Sequence, residues 1–182
     1  MRKVTYGGAC SLDGFIAGPD GAVDWLVMSP DVQAIMADFW KQTDTLVMGR
    51  KTWDVAEAYA GEPMPGMEHV KSYVFSRSLD RIDAPGVSLV REDAASFVRE
   101  LKKGKGAGIC VFGGGELATS LLRARLVDEV GFNIQPVLEG SGTPAFRDTG
   151  RVKLELIETR PLRGGCVYAL YRVKRPGKGQ PS

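Results

Sequence analysis

Strand-like segments alternate with amphipathic helical patterns along most of this chain, and the alternation constrains the fold more than any single motif. Apolar runs typical of strands cover residues 4–10, 45–48, 70–75, 87–90 and 109–112. Helical patterns begin after Ser29, a predicted N-cap that Pro30 and Asp31 follow, and after Asp93. The first helix carries a predicted apolar stripe, formed by Val32, Ile35, Met36, Phe39 and Trp40. Two further helices are predicted over residues 52–59 and 116–123. This order predicts an α/β fold with a mostly parallel sheet and helices on both faces.

The pattern changes in the last third of the chain. Strand-like runs with no helix between them cover residues 127–134, 152–158 and 166–173, and Arg163-Gly164-Gly165 predicts a hairpin turn. We therefore expect a central mixed sheet of about eight strands that ends in an antiparallel C-terminal hairpin. Residues 1–174 form one predicted domain, and residues 175–182, rich in Pro and Gly, form a predicted flexible tail.

Composition excludes several classes of function. Hydrophobic residues make up 43% of the 182 residues, and the net charge of +2 gives no basic stripe of the kind that binds nucleic acid. We find no apolar run of the roughly 20 residues that cross a bilayer, and no signal-peptide core. The three cysteines match no metal-binding spacing. These features predict a cytoplasmic protein with reduced thiols, no metal, and neither a nucleic-acid nor a membrane partner.

Three consecutive glycines, Gly113, Gly114 and Gly115, follow a predicted buried strand and come just before Glu116 and Leu117 at a helix start. Glycines let backbone N–H groups approach a ligand closely, and a helix N-terminus favours an anion, so the segment predicts a phosphate site. A tight turn that requires positive φ is the structural alternative. The segment also matches a dinucleotide fingerprint, which we disfavour because an antiparallel strand is expected next instead of another β/α unit.

Two other predicted strands end in residues suited to phosphate. Gly49 is followed by Arg50, Lys51 and Thr52, and cations at a helix start are unfavourable unless an anion shares the site. Exposed cations with no ligand are the alternative. The third strand ends in Ser76 and Arg77. Because ligands of α/β sheets bind along the carboxyl edge of the strands, one extended ligand with separated phosphates, such as NADPH, could use all three turns.

With these turns in place, the chain resembles the dihydrofolate reductase superfamily. The resemblance is strongest to the reductase domain of the bifunctional deaminase–reductase of riboflavin biosynthesis and its stand-alone relatives. The segments that carry it are residues 11–17, 44–52, 74–79, 112–122, 126–129 and 136–142. The resemblance implies a dihydrofolate-reductase-like three-layer fold and an NADPH-dependent reductase of a pyrimidine or pterin heterocycle. A protein of the same fold that binds or senses NADP(H) without turnover is the alternative.

The resemblance also implies roles for individual residues. The pyrophosphate and 2′-phosphate would be held by Gly49, Arg50, Lys51, Thr52, Ser76, Arg77, Gly113, Gly114, Gly115, Glu116 and Leu117. Ala9 and Ile16 would border the nicotinamide, and the loop over residues 14–25 would act as a lid.

Substrate residues are less constrained by the sequence. Asp31 is the candidate catalytic acid, although a helix dipole equally explains an acid in a first turn. Trp25 and Trp53 could line a pocket for a flat heterocycle. Tyr168, Leu170 and Tyr171 on the C-terminal strands could form a homodimer surface.

Overall fold

The computed structural model describes residues 1–58 and 66–175, and within them one eight-stranded sheet organises the chain. Its elements in order are β1 (Val4–Ser11), β2 (Phe15–Ala17), α1 (Pro30–Lys41), β3 (Thr43–Gly49), α2 (Arg50–Ala58), β4 (Lys71–Phe75), β5 (Val87–Val90), α3 (Ala94–Lys103), β6 (Gly108–Phe112), α4 (Gly115–Arg123), β7 (Glu129–Gln135), β8 (Thr143–Pro144), β9 (Leu154–Pro161) and β10 (Val167–Val173). The strand order is β5-β4-β3-β6-β1-β7-β10-β9, and β2 pairs with β8 in a separate small sheet. The predicted α/β fold with about eight strands is confirmed. Tyr59 and residues 176–182 of the predicted tail lie outside the described residues.

Strand direction corrects one expectation. β7 pairs in parallel with β1, although an antiparallel strand was expected after α4. The reversal comes one strand later, because β10 runs antiparallel to both β7 and β9. The chain turns between β9 and β10 through a short 3-10 turn, Arg163–Gly165, as the glycines predict. Only β10 therefore opposes the other strands of the large sheet, and the C-terminal hairpin is antiparallel as expected.

The two faces of the sheet carry different cores. One apolar cluster includes Tyr6, Val111 and Leu121 and packs β1 and β6 against α3 and α4. The second includes Trp40 and Met48 and packs the opposite face against α1 and α2. Side chains alternate between the two faces along each strand, so neighbouring residues of β1 contribute to different layers.

The helix starts follow the sequence signals. Ser29 caps α1 by accepting a hydrogen bond from the backbone N–H of Val32, and Asp93 caps α3 by accepting from the N–H of Ser96. All three cysteines are reduced and buried, as expected. Burial raises the pKa of the Cys110 thiol to about 12 and that of Cys10 to about 11. Both thiols are therefore protonated and unreactive near neutral pH.

A buried ion pair joins α3 to the segment that precedes β7. The ammonium group of Lys102, whose side chain is only 5% exposed, bonds to the carboxylate of Asp128 and to the Leu126 carbonyl oxygen. Asp128 also accepts a hydrogen bond from the backbone N–H of Val4 at the start of β1. The pair thus fixes the helix against two adjacent parallel strands.

We expect Asp128→Asn to lower the free energy of unfolding by about 3 kcal/mol, because it leaves a buried ammonium without a counter-charge. The control is Glu100→Gln, which breaks the exposed pair between Glu100 and Lys103 on the same helix. That change should cost at most about 0.5 kcal/mol. Urea unfolding of the variants measures both values, and equal losses would contradict a structural role for the buried pair.

Candidate functional site

The three predicted phosphate turns lie side by side at one edge of the sheet. β4, β3 and β6 are consecutive neighbours and parallel, so their carboxyl ends meet at the same edge. Two interstrand spacings separate the outer turns by about 10 Å. The sequence prediction that these turns are brought together is supported by this strand order.

Each glycine in the turn after β6 is required by its backbone conformation or by close packing. Gly113 and Gly114 adopt positive φ, 60° and 62°. A Cβ on Gly113 would lie 2.6 Å from the Thr52 side chain, and a Cβ on Gly115 would lie 2.6 Å from the carbonyl oxygen of Pro144. Backbone geometry and close packing therefore require these glycines with or without a ligand. They also bring the turn after β6 against Thr52 at the start of α2.

The first turn of α4 is open to an anion. Its N-cap, Gly114, provides no side-chain hydrogen bond to the helix. The free N–H groups at such a terminus and the helix dipole together favour negative charge. Glu116 is exposed and Leu117 is half-buried beside this terminus.

Arg50 connects the other two turns. Its guanidinium donates to the Ser78 hydroxyl at 2.7 Å and lies 3.4 Å from the Asp54 carboxylate. Ser76 is buried, and its hydroxyl accepts hydrogen bonds from the backbone N–H groups of Ser78 and Leu79. Arg77 is exposed beside it. Ser76 thus organises a turn that places the Ser78 hydroxyl beside the Arg50 guanidinium at the sheet edge.

Lys51 and Gly49 are the remaining predicted residues at this edge of the sheet. Lys51 is exposed on the first turn of α2. Gly49 ends β3, and a Cβ there would meet no heavy atom within 4 Å. Gly49 has no steric requirement of the kind found at Gly113.

A cavity of about 250 Å³ lies between the sheet and α1, next to these turns. The whole apolar face predicted for α1 covers it, namely Val32, Ile35, Met36, Phe39 and Trp40. Leu26, Met28 and Leu162 add further apolar wall. The helix stripe that the sequence marks as core is therefore also the wall of a binding cavity.

Small residues on β1 and β7 make the floor of the cavity. Thr5, Gly7 and Ala9 alternate along β1 toward α1, and Gly131 faces the same side from β7. A Cβ on Gly7 would collide with the Gly131 carbonyl oxygen, and one on Gly131 would lie 2.9 Å from Leu170 Cδ1. Because Gly7 and Gly131 have no side chains, the floor of the cavity is bare backbone at these two positions, which leaves room for a ligand.

Three residues that line this otherwise apolar cavity carry polar atoms without partners. Trp40 Nε1, Asn133 Oδ1 and Gln135 Nε2 are buried and have no hydrogen-bond partner. Gln135 is 1% exposed, and its Oε1 accepts a hydrogen bond from the Val27 N–H at 2.9 Å. Buried polar groups of folded proteins are nearly always paired, so these side chains are candidates for contact with a ligand in the cavity.

The ionisable groups of the cavity wall remain neutral. They are the Cys110 thiol and the Tyr168 phenol. Burial raises the pKa of both groups. Among the lining residues within 1–58 and 66–175 there is no carboxylate, lysine, arginine or histidine.

Several predicted site residues lie elsewhere. Asp31 does not line the cavity, because its carboxylate accepts a hydrogen bond from the Arg163 N–H at 3.1 Å and binds the β9–β10 turn. Trp25 is half-buried with its indole N–H unpaired, and Trp53 packs against the second core cluster. Ile16 packs against the first core cluster, whereas Ala9 does line the cavity. The roles assigned to Asp31, Trp25 and Trp53 stay predictions.

The predicted lid loop is anchored at its start. β2 pairs with β8, and the Asp13 carboxylate accepts hydrogen bonds from the backbone N–H groups of Glu139 and Gly140. A hydrogen bond from Ser11 is the main cause that lowers the pKa of Asp13. Leu26 and Met28, beyond the predicted end of the lid, are the residues that reach the cavity.

Sequence reasoning missed Asn133, Gln135 and Tyr168 as site residues. The pattern of β7 contained a usable signal, because Gly131, Asn133 and Gln135 alternate with the apolar residues of an interior strand. A small or polar residue at every second position of a strand between two others indicates a lined cavity. Tyr168 was assigned to a dimer surface, but it pairs with Asn133 and lines the cavity.

No helix in the described part of the chain is both long and apolar enough to cross a membrane. Within residues 1–58 and 66–175, no cluster of three or more His, Cys, Asp or Glu side chains could hold a metal ion.

Comparison with known proteins agrees with this fold. The model of the RibD C-terminal domain family matches residues 2–168. The uncharacterised protein YyaP of Bacillus subtilis strain 168 is 35% identical over 181 residues, which cover 94% of this chain and 95% of YyaP.

Solved structures are similar over almost the whole chain. A riboflavin biosynthesis protein from Shewanella sp. PV-4 superposes with a TM-score of 0.81 at 26% identity, covering 96% of this chain and 100% of the other. The diaminohydroxyphosphoribosylaminopyrimidine deaminase/5-amino-6-(5-phosphoribosylamino)uracil reductase of Thermotoga maritima has a TM-score of 0.70 at 16% identity. It shares the fold over 95% of this chain and 57% of its own length.

We expect Gly113→Ala to lower the free energy of unfolding by about 1–3 kcal/mol, because it places a Cβ at positive φ and against Thr52. Gly49→Ala in the neighbouring turn is the matched control and should change stability by less than about 0.5 kcal/mol. Urea unfolding of both variants tests this. A Gly113→Ala protein as stable as the control would refute the strained-turn geometry.

Proposed function

Because the chain belongs to the RibD C-terminal domain family, we propose that it is an NADPH-dependent reductase of a small pyrimidine or pterin heterocycle. The family supports a riboflavin-pathway, pyrimidine-reductase-like function. The observation that carries the proposal is the position of three phosphate-suited turns beside a cavity with unpaired polar atoms. A cofactor and an acceptor can then meet at one edge of the sheet.

The chemical groups at this edge of the sheet are suited to binding a dinucleotide. Gly113 and Gly114 leave a bare backbone turn, and the N-terminus of α4 has no side-chain cap. Arg50 brings a guanidinium to the same edge. The pyrophosphate would bind the α4 terminus together with Thr52, Glu116 N–H and Leu117 N–H, where neutral donors and the helix dipole favour an anion.

Selectivity for NADPH over NADH would come from the turn after β4. Arg77 is exposed and Ser76 and Ser78 supply hydroxyls, a set that matches a phosphate monoester. Lys51 adds a point charge nearby. Asp54, which pairs with Arg50, would have to release that guanidinium when the phosphate binds.

When bound, NADPH would supply the hydride. The chain's own part is to hold the acceptor under α1, to exclude water with the apolar side chains of Leu26, Met28 and Leu162, and to set its orientation through Asn133 and Gln135. Ala9 lines the cavity on the side of the phosphate turns. Fixed orientation and exclusion of water are what a protein contributes to hydride transfer.

A second candidate is an NADP(H)-binding or sensing protein without turnover. It is favoured by one observation, that the described residues lining the cavity include no carboxylate and no histidine to donate a proton. Binding of NADPH with no oxidation across pyrimidine and pterin acceptors would select this candidate.

We also propose that the protein is cytoplasmic and homodimeric through its C-terminal strands. The edge strand β9 is exposed along most of its length and presents Leu154, Leu156 and Ile157. An exposed apolar edge strand is a surface on which another chain can pair. Sedimentation equilibrium would test the dimer.

We expect Arg50→Ala to weaken NADPH binding by about 1.5–3 kcal/mol, the usual contribution of a hydrogen bond to a charged group. Lys153→Ala, which removes an exposed cation next to β9, is the control and should leave the affinity unchanged. Isothermal titration with NADPH and NADH gives both comparisons. Equal affinity for the two nucleotides, or no effect of Arg50→Ala, would reject the assigned phosphate contacts.

Asp31→Asn tests the proposed proton relay. If the Asp31 carboxylate passes a proton to the acceptor, kcat falls at least tenfold and the pH dependence of kcat changes. If the carboxylate only anchors the β9–β10 turn through Arg163, kcat and its pH profile remain and thermal stability falls. Measuring kcat against pH together with Tm separates the two roles.

A further inference from the structure

The cavity under α1 combines three features that specify its ligand: small volume, apolar walls and unpaired polar atoms. Its volume of about 250 Å³ equals that of about eight liquid waters and is below the usual range for drug-sized ligands. The space suits one ring or two fused rings, and a longer substituent on the ring would extend out of it.

The polar atoms define a hydrogen-bond pattern. Gln135 is fixed in orientation, because its Oε1 already accepts from the Val27 N–H and the Cys166 thiol, so Nε2 is left to donate. Trp40 Nε1 can only donate. Asn133 Oδ1 is an acceptor without a partner. A ligand that satisfies all three atoms presents two acceptors, such as carbonyl oxygens or ring nitrogens, and one N–H.

The apolar walls of the cavity also disfavour a charged ligand. An ion moved into an apolar cavity loses its hydration, a cost that only a counter-ion can offset. The lining residues supply none. Arg163, which follows the wall residue Leu162 in the chain, has its guanidinium 3.7 Å from the Asp31 carboxylate and is largely exposed. A phosphate on a substituent that left the cavity beside Leu162 would therefore have to compete with Asp31 for that guanidinium.

We infer that the acceptor of this protein is an uncharged, unphosphorylated ring compound, recognised by Trp40, Asn133 and Gln135. The inference rests on the proposed function in assigning the acceptor to this cavity. It departs from the phosphoribosylated uracil that the Thermotoga maritima protein is named for. The specificity of this cavity would lie in neutral hydrogen bonds to these three side chains.

The test uses the matched probes 5-amino-6-ribitylaminouracil and its 5′-phosphate. Calorimetry on the full chain is run without nucleotide and again with saturating NADP⁺, which would keep the phosphorylated probe off the cofactor turns. We expect the unphosphorylated probe to bind at least as tightly as the phosphate in both conditions. Tenfold or tighter binding of the phosphate with NADP⁺ present would overturn the inference.

Variants test the polar contacts. Asn133→Leu and Trp40→Phe should each weaken binding of the unphosphorylated probe at least tenfold. Asn133→Leu should not lower Tm, because Asn133 Oδ1 has no protein partner to lose. Tyr73→Phe, which alters an aromatic side chain packed against the first core cluster and outside the cavity lining, is the control and should bind as the parent does. Parent-like binding by both folded variants would overturn the assigned contacts.

The two proposals fail separately. If the unphosphorylated probe binds as expected but NADPH neither binds nor is oxidised, the ligand class is supported and the reductase is rejected. If NADPH is oxidised only with the phosphorylated probe, the reductase stands and the inferred ligand class is overturned.

Discussion

The close approach of β1 and β7 at Gly7 and Gly131 is the constraint on which the rest of the site depends. A side chain on Gly7 would collide with the neighbouring backbone, and one on Gly131 would meet Leu170. These two bare positions let the central strands pair and also leave open the volume beneath α1. Protein interiors are normally close-packed, but here the sheet face beneath α1 is not fully packed. On the opposite face of the same strands, the rings of Tyr6 and Phe132 pack edge to face with centroids 5.2 Å apart.

Charge is divided between two neighbouring parts of one sheet edge. The turns after β3 and β4 carry Arg50 and Arg77, and the turn after β6 contributes bare backbone at a helix terminus. One strand further along, the cavity wall holds only neutral polar groups. Under the proposed function, this division of charge would direct an anionic cofactor to the turns and a neutral acceptor to the adjoining cavity.

Local signals allowed the helix starts and the phosphate turns to be predicted, because a cap or a glycine turn is encoded within a few residues. Ser29 and the residues after Phe112 are examples. The cavity could not be predicted in the same way, since Asn133 and Tyr168 meet only through strand pairing between distant segments. The direction of β7 was mispredicted for the same reason. An acidic residue in the first turn of a helix is a weak indication of function. Asp31 illustrates this, because the partner of its carboxylate in the structure is the β9–β10 turn.

The Gln135 side chain belongs at once to the cavity and to the segment that closes it. Its oxygen holds the Val27 backbone between two apolar residues of the cavity wall, and its nitrogen is buried without a hydrogen-bond partner. Any ligand that bonds to the nitrogen therefore stabilises the amide orientation that holds the segment in place. By thermodynamic linkage, a change that loosens this segment must weaken the ligand by the same factor. Ligand binding in the cavity and the ordering of the segment around Val27 are therefore coupled through the Gln135 amide group.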